Sequence, residues 1–211
     1  MNSTTLHLRR SSVATVALLG MLTALPVNAQ AQWRVSGTGF GSSVRTLAGT
    51  MQSPLATLPA EGGYATGQLP TFDVANAIDA RSLNAVTTGA VDDNASAQTV
   101  SEVEDVNVLN GLVRADIVTA IASSYAGSDG AASNADGSGF VNLVVNGTSV
   151  TTDVAPNTRI DVPLVGYVIL NEQRRHGDGA SSSGITLNMI HVHLLNGGEI
   201  IVGSASSGVV R

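Results

Sequence analysis

Gly184-Ile-Thr-Leu-Asn-Met-Ile-His-Val-His-Leu-Leu195 is the run that decides the fold. Ile185, Leu187 and Met189 share one parity, and Ile190, Val192 and Leu194 share the other. Side chains alternate between the faces of a strand, so each triplet marks a buried face. The change of parity after Met189 predicts a β-bulge, or a strand that passes between two sheets. Asn196-Gly197-Gly198 then closes a hairpin onto a strand that starts at Glu199.

Upstream, residues 165–170 are apolar on both faces, which predicts a central strand covered on both sides. Residues 158–162 alternate and end at Pro163. Residues 140–145 and 149–154 flank Asn146-Gly147, a strong short hairpin signal. Residues 126–139 are rich in Gly, Ser, Asp and Ala and are expected to form a loop. Residues 112–124 fit both a strand and a helix, because Val113, Ile117 and Ile121 also repeat at helical spacing. Asn110-Gly111 before them and the β-rich remainder favour a strand.

Residues 100–109 form a further strand with Glu102 and Glu104 on one face, and residues 71–91 hold two short strands. Residues 53–70 carry Pro54, Pro59 and Pro70 among glycines, which predicts loop with one short extended piece. Residues 32–47 make a first strand with glycine on one face, where another chain segment or an aromatic ring can approach closely. The Gly37-x-Gly39-x-Gly41 spacing lacks the helix and acidic residue of a dinucleotide site. Three Asn-Gly turns between short strands predict an all-β fold, an antiparallel β-sandwich with a barrel-like or jelly-roll form as variants. No fixed-period repeat is present.

Residues 1–31 lie outside that expected single domain of residues 32–211. Arg9 and Arg10, an apolar segment at 13–25 and small residues at Ala29 and Ala31 have the layout of a cleavable export signal. The expected product is secreted or periplasmic, with no membrane span after cleavage. Every basic residue is Arg; without Arg9 and Arg10, eight Arg face sixteen acidic groups, for a net charge of −8. An acidic, Lys-free surface argues against nucleic acid or an anionic membrane as partner. With no cysteine, packing and hydrogen bonds must supply all the stability.

The order strand, Asn146-Gly147, strand, followed by Pro156-Asn-Thr-Arg-Ile160, Val168-Ile-Leu-Asn171-Glu172-Gln173, the 184–192 run and Ile201-Val-Gly203-Ser-Ala205, resembles the choice-of-anchor P family. Gly37-Thr-Gly39-Phe40-Gly41 and residues 112–122 fit it as well. The resemblance implies an exported bacterial surface-type domain with no assigned activity. Its members carry different C-terminal anchoring signals; this sequence ends at Val209-Val210-Arg211 without a sorting motif, hydrophobic tail or lipid-attachment Cys, which implies release.

Candidate site residues are few. His191 and His193 lie two apart on one strand face, a two-ligand metal spacing, with His176 as a possible third ligand. Asp129, Asn134 and Asp136 partly match a calcium loop but lack its full acidic spacing. Asn171, Glu172 and Gln173 follow an apolar strand and are expected to form a polar cluster at the sheet rim. No Gly-x-Ser-x-Gly elbow is present, and no catalytic residue or cofactor is assigned. The resulting expectation is a non-catalytic module acting by surface contact with a cell-surface or matrix component. A metal-assisted hydrolase using His191 and His193, and a carbohydrate-binding module, are the alternatives. Residues 32–44 are further expected to form an edge strand able to pair between chains.

Overall fold

Every regular element among the described residues, 32–151 and 153–211 of a computed structural model, is a β-strand. The export signal read at residues 1–31 lies outside the described residues. The strands are β1 (Arg34–Thr46), β2 (Gly49–Gln52), β3 (Ala56–Thr57), β4 (Gly63–Val74), β5 (Ile78–Val91), β6 (Ala95–Val108) and β7 (Val113–Gly127). They continue as β8 (Gly130–Asn134), β9 (Gly139–Val141), β10 (Val144–Val145), β11 (Thr148–Ser149), β12 (Thr158–Val162), β13 (Gly166–Gly177), β14 (Ser182–Leu194) and β15 (Glu199–Val210). All pairings are antiparallel. The first sheet runs β12-β13-β14-β15-β1-β2, with β3 beside β1; the second runs β11-β10-β7-β6-β5-β4, with β8 and β9 beside β7. The two sheets pack face to face without closing into a barrel, so the fold is a β-sandwich.

The ambiguous segment 112–124 is strand: β7 alternates between buried and outward positions on either side of Asp116 and Ile117, where the parity changes, and pairs with β6 from Val113 to Ala126. Other expectations need correction: the strand expected at 149–154 is only β11, and residues 71–91 hold the end of β4 and the fourteen-residue β5 instead of two short strands. Residues 126–139 hold β8, because Ser133 bonds its hydroxyl to Ser124 and Ser183 at 2.8 Å each and so satisfies a strand of small residues. Residues 53–70 hold β3 and the start of the twelve-residue β4. The 165–170 strand lies inside the sheet, but its outer residues Tyr167 and Ile169 are half-buried instead of covered. Finally, β1 is no free edge. Its far side is occupied by β2, by β3, and by bonds from Val35 to Ala60 and from Leu58 to Gly37. The Ser53 hydroxyl fills the gap between them, accepting from the Gly41 and Ser42 amides at 3.0 and 3.1 Å.

The parity switch is real and extends across the first sheet. In β14, Asn188 and His191 face outward while Met189 and Ile190 are both buried in the core. The same row is skipped by the ladder in each neighbour, at Asn171 of β13, Gly203 of β15 and Gly41 of β1. Pairing resumes beyond it in unchanged register, so no residue is inserted. Asn171 (φ 51°) and Gly203 (φ 67°) take the left-handed conformation that reverses the alternation. Glycine is needed at 203, where a Cβ would lie 2.9 Å from Val118 Cγ1 of the opposite sheet.

The core has two parts. The larger contains Leu83, Val103, Val118, Leu170, Leu187, Ile190 and Val202, all essentially inaccessible. The smaller gathers Trp33, Val35, Leu58, Ala97 and Val209 near the chain ends. Between them the sheets meet through hydroxyls: Ser124 of one bonds Ser207 of the other at 2.7 Å, and Thr99 donates to Thr87 at 2.9 Å within the second sheet. That close approach explains the glycine face of β1: a Cβ at Gly37 would lie 2.2 Å from Thr87 Oγ1.

Candidate functional site

The skipped row places two outward rows of the first sheet side by side. Glu172, Asn188 and Ser204 lie on one flank; Ile169, His191 and Ile201 lie on the other. Across this line Glu172 Oε2 is 2.8 Å from His191 Nδ1 and accepts from Asn188 Nδ2 at 2.8 Å, while Oε1 accepts from Arg174 Nη2 at 2.7 Å. Ser204 donates to Asn188 Oδ1 at 2.8 Å. Burial opposes ionisation of Glu172, but bonds from Asn188, His191 and Arg174 overcome it and lower its pKa to about 2. An ionised carboxylate only accepts hydrogen bonds, so His191 Nδ1 carries the proton between them.

That assignment leaves His191 Nε2 pointing away from Glu172. It is buried and has no hydrogen-bond partner, and Glu199 Oε2 lies 3.7 Å away. His193 stands two residues on, directly opposite Glu199, with its Nδ1 3.7 Å from Glu199 Oε1 and its Nε2 buried and unpartnered. The two imidazoles are 3.9 Å apart between centroids. Tyr167 stacks on His193 at 4.5 Å, and the Arg159 guanidinium lies 3.8 Å over the Tyr167 ring. Burial and the neighbouring His191 push the His193 pKa down, against the pull of Glu199 and Glu172, so its ring is neutral near pH 7. Burial resists ionisation of Glu199 as well, yet Arg45 and the two histidines hold its pKa below the ordinary range. Arg45 grips both carboxylate oxygens, at 2.5 and 3.2 Å.

His191, His193 and Glu199 thus present three donor atoms within 4.8 Å of one another. His176 is not among them. It lies opposite Gly184, seven residues along β14 from His191, or about 23 Å of extended strand. Glu199 is the residue that sequence reasoning missed. The hairpin across Asn196-Gly197 fixes the register that sets it against His193, so the turn carried the signal.

Asn171, Glu172 and Gln173 do not sit at a rim, because β13 continues to Gly177. Asn171 supplies the left-handed residue and bonds the Val154 carbonyl at 2.8 Å, and Gln173 donates to Asn171 Oδ1 at 2.9 Å. Nor are Asp129, Asn134 and Asp136 brought together. Asp129 occupies the β7–β8 turn and lines a depression with Asp92 and Asp93, whereas Asn134 stands at the far end of β8, about 13 Å away. Asn134 Oδ1 accepts from the Asp136 amide at 3.2 Å, a local turn bond.

The outer face of the second sheet is different in kind. Tyr64, Thr88, Gln98 and Ser123 form one row across β4 to β7, and Thr66, Val86, Val100 and Ile121 form the next. Neither row contains an ionisable group apart from the Tyr64 phenol. Tyr64 is 76% exposed on one margin and Tyr125 is 56% exposed on the other, three strand spacings across and two residues along, or about 16 Å apart. Gly63, Thr88, Ser96, Gln98, Ser123 and Tyr125 line a shallow depression of about 430 Å³ between them.

Among the described residues, no helix is long and apolar enough to cross a membrane. No curated protein and no solved structure matches the chain. A family model does match residues 36–178, from β1 to the end of β13, so that Glu172 falls inside the match and His191, His193 and Glu199 fall beyond it. By that match the chain belongs to the family described as a domain of unknown function, DUF8256.

Proposed function

We propose that this domain is a non-catalytic contact module of the cell exterior, and that its binding face is the outer face of the second sheet, with a neutral glycan as ligand. One observation carries the reading: an uncharged strip of Thr66, Thr88, Ser96, Gln98 and Ser123 bordered by two exposed tyrosines, in a chain of strongly acidic balance. Sugar rings offer C–H faces that stack on aromatic rings, and hydroxyls that exchange hydrogen bonds with Ser, Thr and Gln. A neutral polyol costs little to place on this uncharged strip, whereas an anionic ligand would meet Glu102 in the next row and Asp92, Asp93 and Asp129 beside Tyr125. The leader-like residues 1–31 and the resemblance to choice-of-anchor P proteins support the exterior placement.

A metal-assisted hydrolase would need an open coordination position beside a substrate cleft. The free ring nitrogens of His191 and His193 are buried, with Tyr167 stacked over His193, and this favours the contact reading.

Co-sedimentation of the purified chain with insoluble polysaccharides and cell walls tests the proposal. The unaltered chain is expected to pellet with at least one of them. The Tyr64→Ala/Tyr125→Ala variant should lose at least tenfold in affinity while its circular dichroism is unchanged. Failure of the unaltered chain to bind, or equal binding by the variant, overturns the reading.

A further inference from the structure

We propose that His191, His193 and Glu199 form a binding site for one late first-row divalent metal ion of the zinc class, on the sheet opposite the contact face. The proposal is independent of what that face binds.

Four features of the cluster converge. First, the donor set is two imidazoles and a carboxylate, which suits zinc, copper, nickel or cobalt and does not suit calcium or magnesium, ions that take six or more oxygens. Second, the spacing fits. Tetrahedral bonds of about 2.0–2.1 Å place neighbouring donors about 3.3–3.5 Å apart. The contacts from Glu199 Oε2 to His191 Nε2 and from Glu199 Oε1 to His193 Nδ1 are each 3.7 Å, and one donor atom from each residue lies within 4.8 Å of the others, so closure needs side-chain movements of about an ångström.

Third, His191 Nε2 is unsatisfied. The residue is 5% exposed, its Nδ1 proton is committed to Glu172, and Nε2 faces a carboxylate oxygen with no donor between them. A buried imidazole nitrogen facing a partly exposed carboxylate oxygen, with no proton between them, offers a cation two donors beyond the one side of Glu199 that Arg45 occupies. Fourth, two of the three ligands are held by hydrogen bonds, and His193 is held by the stacked Tyr167 ring. Glu172 fixes the tautomer and orientation of His191, itself held by Asn188 and Arg174, and Arg45 orients Glu199. Metal-ligating histidines characteristically donate their second N–H to a carboxylate in this way. The competing source of positive charge is the Arg45 guanidinium already paired with Glu199.

The full chain, stripped with a chelator, is titrated with Zn²⁺ by calorimetry and with Co²⁺ by visible absorption. One ion per chain is expected, with Co²⁺ bands of a low-coordinate site. His191→Ala and Glu199→Gln should each weaken Zn²⁺ binding by at least 100-fold, and Glu172→Gln by about 10–100-fold through loss of orientation. His176→Ala should bind as the unaltered chain does. Should a variant fail to fold, long-range ¹H–¹⁵N spectra of the unaltered chain decide. Zn²⁺ should move the ring nitrogens of His191 and His193 and leave those of His176 in place. No Zn²⁺ binding by the unaltered chain, or binding undiminished in both His191→Ala and Glu199→Gln, overturns the site.

Discussion

The two outer faces of this sandwich are built to opposite rules. On the first sheet, Glu172, Asn188, His191 and Ser204 are buried or half-buried and bonded to one another across the skipped row. On the second sheet, Tyr64, Thr66 and Thr88 stand in solvent, and Gln98 makes one bond, to Ser123 at 3.0 Å. A polar group already spent on its neighbours contributes to stability and to holding whatever completes the cluster. A polar group left in water retains its bonding capacity for a partner. The comparison therefore assigns stability to one face and contact to the other, and substitutions can break that division.

The largest effect is expected at Glu172. Replacing it with Ala leaves the His191 Nδ1 proton and the Asn188 amide without their acceptor, at a cost of about 3–5 kcal/mol, read from urea unfolding. A loss below about 1 kcal/mol would mean that the buried cluster contributes no more than an ordinary surface group.

Acid should expose the same dependence. The folded pKa of Glu172 is about 2, against 4.5 for the free group. Because the folded value is depressed, its contribution is complete above pH 4.5 and is lost as pH falls from there towards 2. The contribution is roughly 3 kcal/mol. Urea midpoints measured on metal-free protein between pH 7 and pH 2 should fall across this window, and fall less in Glu172→Gln.

Next comes the skipped row. Gly203→Ala places a side chain at φ 67° and against Val118, and should cost about 1–2 kcal/mol. Thermal unfolding measures it; a neutral result would show that the row tolerates an ordinary residue.

The smallest effects belong to the second sheet. Tyr64→Ala and Tyr125→Ala should each shift stability by less than about 0.5 kcal/mol, because both rings are exposed. If either destabilised the domain as much as Glu172→Ala, the division between the faces would fail.

Much of this was legible in the sequence. The parity switch at Met189 and Ile190, the Asn-Gly turns and the β-sandwich class all follow from alternation and turn chemistry. The breadth of the switch was not, because its other left-handed residue is Asn171, which nothing in a Val-Ile-Leu-Asn-Glu run distinguishes from an ordinary strand residue. The strand β8 was hidden for a different reason. Its stability rests on Ser133 bonding partners 9 and 50 residues away, and composition alone reads small polar residues as loop. Of the metal candidates, His191 and His193 were set by period-two spacing. His176 failed because proximity in sequence to the β13–β14 turn placed it at the opposite end of the sheet.

The pairing of β1 with β15 has a consequence for how the chain folds. Arg34 lies opposite Val210 and Arg45 opposite Glu199, so the first strand finds its main partner only in the last one. Such contacts close loops of nearly the whole domain, the most entropically costly and slowest kind to form. A growing chain cannot complete its first sheet until the final strand has been synthesised. The larger core, whose outer wall includes β15, must stay open until then. The order of synthesis thus leaves β1 without its main partner until β15 has emerged, while the hairpins of the second sheet can already pair.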